Sequence, residues 1–564
     1  MAELPTFEPI KDRRSLIFFL LFFLALFLQY PLSGSLPGNT DTWFYLTLFN
    51  HYQNLLTGIF GTPAGGAYYP SMPFFLYAEP SFLSGAIFIF FKTIGLPNLW
   101  AYYAFISLIY GLNAFALYKI ARLYGASTFG ALFAGLAFTA SNYALGNIDQ
   151  QNAVVYFPAL FSIYYFRKFL FSYEHKHLVY CLLIGGLQIY FSSYIFIFQS
   201  VILGLIGLYN IKEIAQTPEL RTPLLKYFCI YPILILPFAY LYIFNDRIEQ
   251  SYDPSSQFKG FIMSSLHLQD FIRVLPNNLI IPESTDINIP LLAHIRSAYI
   301  GLSLYVLAAI GLITFRHRIE VLMIALIGLL ISIGPYLQLG STSIPMPMYI
   351  YYEILHMDAF MRTPCRAFTI FTIALAILAA MGISHIIKRH KYGIYISFAI
   401  CFVFLLENIP TPLEKHPSTF FLHPPKEYVA LLKEQGQVPC LNLPSSLFSP
   451  NNEFIAPLEE YNREHIYTFW QTFHKQPVLN GSAGYFPTPR MNNNDWAKSL
   501  SNPQSIPNLI SQNNLGYIIY HKTFVLPSDN PKDLSTLKTS EHLTLIKETP
   551  SFALFQCNSP SDLQ

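Results

Sequence analysis

Eleven apolar runs separated by polar connections leave this chain few architectures. They fall at residues 15–32, 100–118, 129–144, 153–166, 178–190, 195–209, 227–244, 298–315, 321–337, 367–387 and 392–406. Only 12% of residues are charged, against about 25% in an average soluble domain, which excludes an ordinary cytosolic enzyme. The apolar excess is bulky, with 51 Phe and 39 Tyr, so disorder is excluded over most of the length. The chain reads as an α-helical polytopic membrane protein of about 11 transmembrane helices. Its 34 basic and 32 acidic residues nearly balance and give no ground for a nucleic-acid partner.

The first run follows Lys11, Arg13 and Arg14 and lacks a small-residue cleavage site, so it reads as a span rather than a signal peptide. With the N-terminus inside, Lys119 and Arg122, Arg167 and Lys168, Arg316 and Arg318, and Lys388, Arg389 and Lys391 all fall on the cytoplasmic side, as basic residues of short loops do. Residues 80–95 are apolar but short of the roughly 20 residues a span needs, and counting them as one would reverse every later loop. They read as a re-entrant or surface helix which, with the amphipathic stretch 42–56, makes a large first outer loop over 33–99. After residue 406 Pro, Asn, Ser and charge enter. The expected division is a transmembrane domain at 1–409 and a soluble extracytoplasmic domain at 410–564, with a helix at 426–435 and strand-like runs at 438–443, 515–526 and 551–556, hence α/β or β-rich.

No phosphate loop, nucleophile elbow, zinc-type His pair or metal spacing occurs, and the use of a divalent cation stays open. Cys440 and Cys557 suit either a disulfide or two free thiols. Ionisable residues at the membrane boundary carry the remaining interest. Asp41, shortly after the first span, suits either the N-cap of a helix over 43–56 or a general base towards an acceptor hydroxyl. Asp149, in Gly146-Asn147-Ile148-Asp149-Gln150-Gln151-Asn152, suits either a cap or a sugar or metal contact, with Gln150 and Gln151 favoured as structural. Glu79 faces the same side and either offsets the dipole of the helix that follows or meets substrate. Arg362 and Arg366, at the outer end of the run 367–387, break the positive-inside trend and suit either lipid headgroups or the phosphate of a lipid-linked substrate.

These ordered features resemble the GT-C superfamily of membrane glycosyltransferases, which includes protein O-mannosyltransferases and lipid A aminoarabinose transferases, over roughly 1–409. More closely, the chain is similar to bacterial multi-span proteins labelled GT-C-like or YfhO-like. The similar stretches are Tyr69-Pro70 with Glu79, residues 112–125 followed by Gly135-Leu136-Ala137-Phe138, Ile333-Gly334-Pro335, Arg362-Thr363-Pro364-Cys365-Arg366-Ala367-Phe368, and residues 478–487, in the same order. The chain departs from the mannosyltransferases in its lone Asp41, where they carry an acidic pair, and in Glu79-Pro80-Ser81, where they carry His-Pro-Pro. It lacks the Trp-Trp-Asp-Tyr-Gly motif of oligosaccharyltransferases.

The resemblance implies an inverting transferase that moves a sugar from a polyprenyl-phosphate donor lipid to a glycan, lipid or protein acceptor at the outer face of a bacterial inner membrane. Asp41 matches the position of the base. Asp149 falls where some relatives hold a second acid, and Arg362 or Arg366 would meet the donor phosphate. Tyr, Trp and Asn around 470–494 suit carbohydrate stacking by the tail. The rivals are a flippase for lipid-linked glycans, against which no internal repeat or pair of broken spans is found, and a non-catalytic scaffold.

Overall fold

The structure, a computed structural model, describes residues 9–38, 41–57, 79, 81–242, 262, 264–275, 277–281, 296–339, 342–354, 363–413, 415–416, 424–434, 438–444, 458–480, 506–525, 529 and 533–558. Arg362, Tyr69-Pro70 and residues 481–494 of the expected carbohydrate-facing stretch lie outside them.

Every apolar run contains a helix. In chain order the helices are α1 (Pro9–Phe27), α2 (Gln29–Ser33), α3 (Asp41–Leu56), α4 (Phe82–Thr93), α5 (Asn98–Leu123), α6 (Thr128–Thr139), α7 (Asn142–Gly146), α8 (Gln151–Val154), α9 (Phe157–Ser172), α10 (His175–Leu187) and α11 (Ser193–Tyr209). There follow α12 (Ile211–Gln216), α13 (Pro218–Tyr227), α14 (Ile230–Tyr242), α15 (Leu302–Thr314), α16 (Arg318–Ser332), α17 (Phe368–Arg389) and α18 (Gly393–Asn408). Among the described residues five stretches are long and apolar enough to cross a membrane: Asp12–Ser33, Asn98–Leu123, Gln151–Ser172, Pro218–Tyr240 and Pro364–Arg389. Helices α4, α11, α15 and α18 are apolar but shorter. The chain is thus a mostly helical multi-pass membrane protein. The 12 residues of α4 extend roughly 18 Å at 1.5 Å per residue, too little to cross.

Helix α17 is the hub, buried around most of its circumference and packed on α6, α15 and α16. Its approach to α15 is made by small residues. A Cβ on Gly311 would sit 1.8 Å from the Leu378 carbonyl oxygen, and one on Gly382 would sit 2.2 Å from that of Leu307. Close backbone contact of this kind is how helices associate in lipid, where apolar burial gives no drive. Two of the basic residues expected on the cytoplasmic side are paired at the far ends of α5 and α9. Lys119 meets Asp12 at 2.5 Å, and Arg167 meets Glu320 at 3.0 Å, with the Tyr124 hydroxyl donating to the same carboxylate at 2.6 Å.

Strands gather at the C-terminal end, with α19 (Lys426–Lys433), α20 (Leu458–His474), α21 (Ile506–Asn513) and α22 (Asp533–Thr539) around them. After the short β1 (Leu36–Pro37), the hairpin of β2 (Tyr336–Leu339) and β3 (Thr342–Pro345), and β4 (Lys415–His416), the strands β5 (Cys440–Leu443), β6 (Tyr517–His521), β7 (Leu543–Glu548) and β8 (Phe552–Cys557) form one sheet in the order β5-β6-β8-β7, with β5 and β6 parallel and the other pairs antiparallel. The expected strands are β5, β6 and β8, and the expected helix is α19. Because β6 lies between β5 and β8, Cys440 and Cys557 are two strands apart, roughly 10 Å at the usual spacing. That exceeds the reach of a disulfide, and both thiols are free. Trp470 corrects a second expectation. It is 2% exposed, with its ring 5.4 Å from those of His521 and Phe524, so it fills the core between α20 and the sheet and offers no stacking face to a sugar.

This C-terminal unit is seated on the first loop. The Trp43 ring of α3 lies 5.1 Å from Phe469 of α20, Phe44 lies 6.4 Å from His465, and Lys475 Nζ donates to Asn54 Oδ1. A short ladder joins β1 (Leu36–Pro37) to β4 (Lys415–His416) beside it.

Candidate functional site

The turn before α3 is fixed by its own residues. Gly38 has φ +68°, and the Thr42 hydroxyl donates back to the Pro37 carbonyl at 2.7 Å. Asp41 is the first residue of α3. A Cβ on Gly38 would lie 2.4 Å from the Asp149 Cβ and 2.8 Å from its Oδ2. The absence of that atom is what lets the Asp149 carboxylate lie against the turn that presents Asp41. Both carboxylates lie within electrostatic reach of the Tyr102 hydroxyl. Gly38→Ala is therefore expected to cost about 2–4 kcal/mol, from left-handed strain plus overpacking. Gly204→Ala, inside α11 where the added atom meets nothing within 4 Å, serves as the control and should gain about 0.5–1 kcal/mol. Thermal unfolding of both variants in nanodiscs checks the difference.

Tyr45 follows Asp41 by one helical turn and lies on the same face of α3. Its hydroxyl accepts the Asn152 N–H at 3.2 Å. The Asn152 carbonyl in turn accepts the Ser192 hydroxyl at 2.6 Å, and that hydroxyl caps α11 by accepting Ile195 N–H. Glu79 closes the ring of contacts. Its Oε1 accepts the N–H groups of Ser193 and Tyr194, so it stabilises the start of α11 rather than the helix that directly follows it in sequence. Burial pushes the Glu79 carboxyl up, only partly offset by those bonds and by Arg366.

Arg366 enters from the short turn before α17. Its guanidinium lies over the Tyr194 ring at 4.7 Å and donates from Nη2 to Gln150 Oε1 at 2.8 Å. It is 8% exposed, and its Nε is buried with no hydrogen-bond partner among the described residues, as is Glu79 Oε2. Burial, with Asp41 and Glu79 nearby, raises the Tyr45 phenol well above its ordinary range, and Arg366 partly offsets this. Gln150, favoured in sequence as structural, thus holds a site arginine. Gln151 is wholly buried and donates to the Tyr102 hydroxyl at 2.6 Å. A cavity with room for about one water lies under this loop, lined by Tyr110, Asn113, Asn147, Tyr156, Thr369 and Thr372 among others.

Asp41, Glu79, Asp149 and Arg366 therefore come together at one end of the bundle. Sequence reasoning missed Tyr45 and Tyr194, and it read Asn152 only as a member of the polar loop 146–152. It also missed Asp270, a wholly buried carboxylate that binds Arg273 and, at 2.9 Å, Arg296. Its signal was faint, since it stands alone in a loop far from any predicted cluster. Among the described residues no group of three or more His, Cys, Asp or Glu is placed to hold a metal.

The fold of this helical bundle is similar to that of a solved arabinofuranosyltransferase. The arabinofuranosyltransferase AftD from Mycobacteria aligns over 98% of this chain with a TM-score of 0.62 and 12% identity, and a variant of it over 97% with a TM-score of 0.61 and 10% identity. This chain spans only 40% and 42% of those two structures. Likeness falls to a TM-score of 0.49, at 13% identity over 90% of this chain and 69% of the other, for the Archaeoglobus fulgidus oligosaccharyltransferase. It falls to 0.46, at 9% identity over 96% and 97%, for ArnT from Cupriavidus metallidurans bound to undecaprenyl phosphate. These last two are too slight to argue from, and identity this low speaks for fold alone. No family model and no curated protein matches the sequence.

Proposed function

We propose that this chain is an inverting membrane glycosyltransferase that takes a sugar from a polyprenyl-phosphate donor at the outer face of a bacterial inner membrane. The observation that supports it is the meeting of Asp41, Glu79 and Asp149 with one buried guanidinium, Arg366, whose Nε has no partner among the described residues. The acceptor hydroxyl forms a bond to the anomeric carbon while its proton passes to Asp41. The bond from that carbon to the phosphate oxygen breaks, and the electron pair leaves with the lipid phosphate, whose new charge Arg366 stabilises. Asp149 and Glu79 line the sugar side. About eleven spans, a cytoplasmic N-terminus, a transmembrane domain ending near residue 409 and an extracytoplasmic tail from 410 belong to the same proposal, and so does Arg362 as a second phosphate contact.

The test is sugar transfer by purified protein in nanodiscs from a panel of radiolabelled polyprenyl-phosphate sugars. Turnover with one donor is the expected result. Tight binding of lipid-linked glycans with no turnover from any donor would move the assignment to transport or scaffolding.

A further inference from the structure

Of the polar residues that meet at this site, Tyr45 is the one to which neither the sequence nor the proposed reaction gives a task. It is 3% exposed. Its oxygen accepts the Asn152 N–H at 3.2 Å, and its own proton has no acceptor among the described residues. Burying an uncommitted O–H costs about 1–3 kcal/mol. Packing alone would be served as well by Phe, which already fills the neighbouring positions 44 and 49.

The surrounding contacts say what the proton faces. Tyr45 is tied through Asn152 to Ser192 and so to the start of α11, where Tyr194 carries the Arg366 guanidinium 4.7 Å from its ring centre. One face of that guanidinium is thus taken by an aromatic ring and Nη2 by Gln150, while Nε is buried with no partner among the described residues. Two buried donors without an acceptor among those residues, one phenolic and one guanidinium, stand on elements locked to each other. A ligand that satisfies both is rich in acceptors, and one that also complements the guanidinium is an anion. Because Asp41, Glu79 and Asp149 oppose an anion, charge alone does not hold it and directed hydrogens are needed.

We propose that Tyr45 donates a hydrogen bond to the phosphate of the lipid donor, alongside Arg366 Nε, and is a catalytic residue. This rests on the glycosyl-transfer reading above. As the anomeric carbon parts from the phosphate oxygen, the phosphodiester with one negative charge becomes a monoester with two. The Tyr45 hydrogen bond strengthens as that charge grows, and the phenol keeps its proton throughout.

The experiment measures binding of polyprenyl phosphate, and of the matching polyprenol as phosphate-free control, to nanodisc-embedded wild type and Tyr45→Phe. Transfer kinetics are run in parallel. Polyprenyl phosphate binding weakened at least tenfold, with polyprenol binding unchanged and kcat about 100-fold lower, is the expected result. If Tyr45→Phe binds polyprenyl phosphate as tightly as wild type, or if wild type does not prefer it to polyprenol, the proposal falls. In case Tyr45→Phe misfolds, 3-fluorotyrosine at position 45 keeps every contact and makes the phenol a stronger donor. Binding or kcat must then change, and a flat response overturns the proposal. Wild type that prefers polyprenyl phosphate but transfers no sugar defeats the transferase reading while leaving the phosphate contact to be judged by binding.

Discussion

Asp41→Asn is expected to lower kcat by about 10²–10⁴-fold, the usual contribution of a positioned general base, while donor binding stays within a few-fold of wild type. Asparagine has the same shape and still begins α3, so the turn set by Gly38 and by the Thr42 bond to Pro37 is kept. What it lacks is a lone pair basic enough to take the acceptor's proton. Loss of a carboxylate at a helix N-terminus costs about 0.3–1 kcal/mol, and a folded, donor-binding, inactive protein is the diagnostic outcome. Transfer activity within threefold of wild type would remove the base from Asp41 and assign the proton to another group of the site. Single-turnover transfer with pre-bound donor places any loss in the chemical step.

Arg366→Met should do damage of another kind. The guanidinium holds Gln150, covers Tyr194 and tempers the charge of Glu79 and Tyr45. Removing one member of a buried charged contact costs about 2–5 kcal/mol, so polyprenyl phosphate binding should weaken by roughly 30- to 5,000-fold. Glu79, left buried without its neighbouring cation, should cost stability as well. The double variant with Glu79→Gln separates these effects: thermal stability should recover while phosphate binding does not. Arg366→Lys keeps the charge but loses the planar stack and the directed Nε, and should fall between wild type and Arg366→Met. If Arg366→Met binds polyprenyl phosphate normally, the phosphate is held elsewhere.

Much of the bundle was legible because lipid demands long apolar helices and composition alone marks them. Breaks inside the runs were not. The run 129–144 divides where the Ser141 hydroxyl accepts Ala144 N–H at 3.2 Å and starts α7. The run 153–166 divides at Val155 and Tyr156, just ahead of a proline in the first turn of α9. Serine and a helix-starting proline were the available signals, and the surrounding hydropathy masked them. In the tail, β7 was missed because it is a largely exposed strand of mixed polarity. Trp470 was misplaced because an amphipathic helix rich in rings can turn its aromatics towards a core or a ligand, and only tertiary packing decides which.

The site was legible as charge and illegible as neutral chemistry. Asp41, Glu79, Asp149 and Arg366 stood out as ionisable residues at the edges of apolar segments. Tyr45 did not, since one tyrosine among 39 is marked only by its spacing of four from Asp41. Gln150 read as loop structure because its partner, Arg366, is 216 residues away.

The seat of the tail on α3 has a consequence for how the protein is made. Trp43, Phe44 and Asp41 are made well before Phe469 and His465 of α20, and the bond from Lys475 to Asn54 spans 421 residues. At 5–20 residues per second the ribosome needs roughly 20–80 s to supply that cover. Throughout that interval α3 stands with a bare aromatic face. Nascent chains of this protein should therefore be open to capture by membrane insertases and holding chaperones until α20 has been made, and transfer activity should appear only after it.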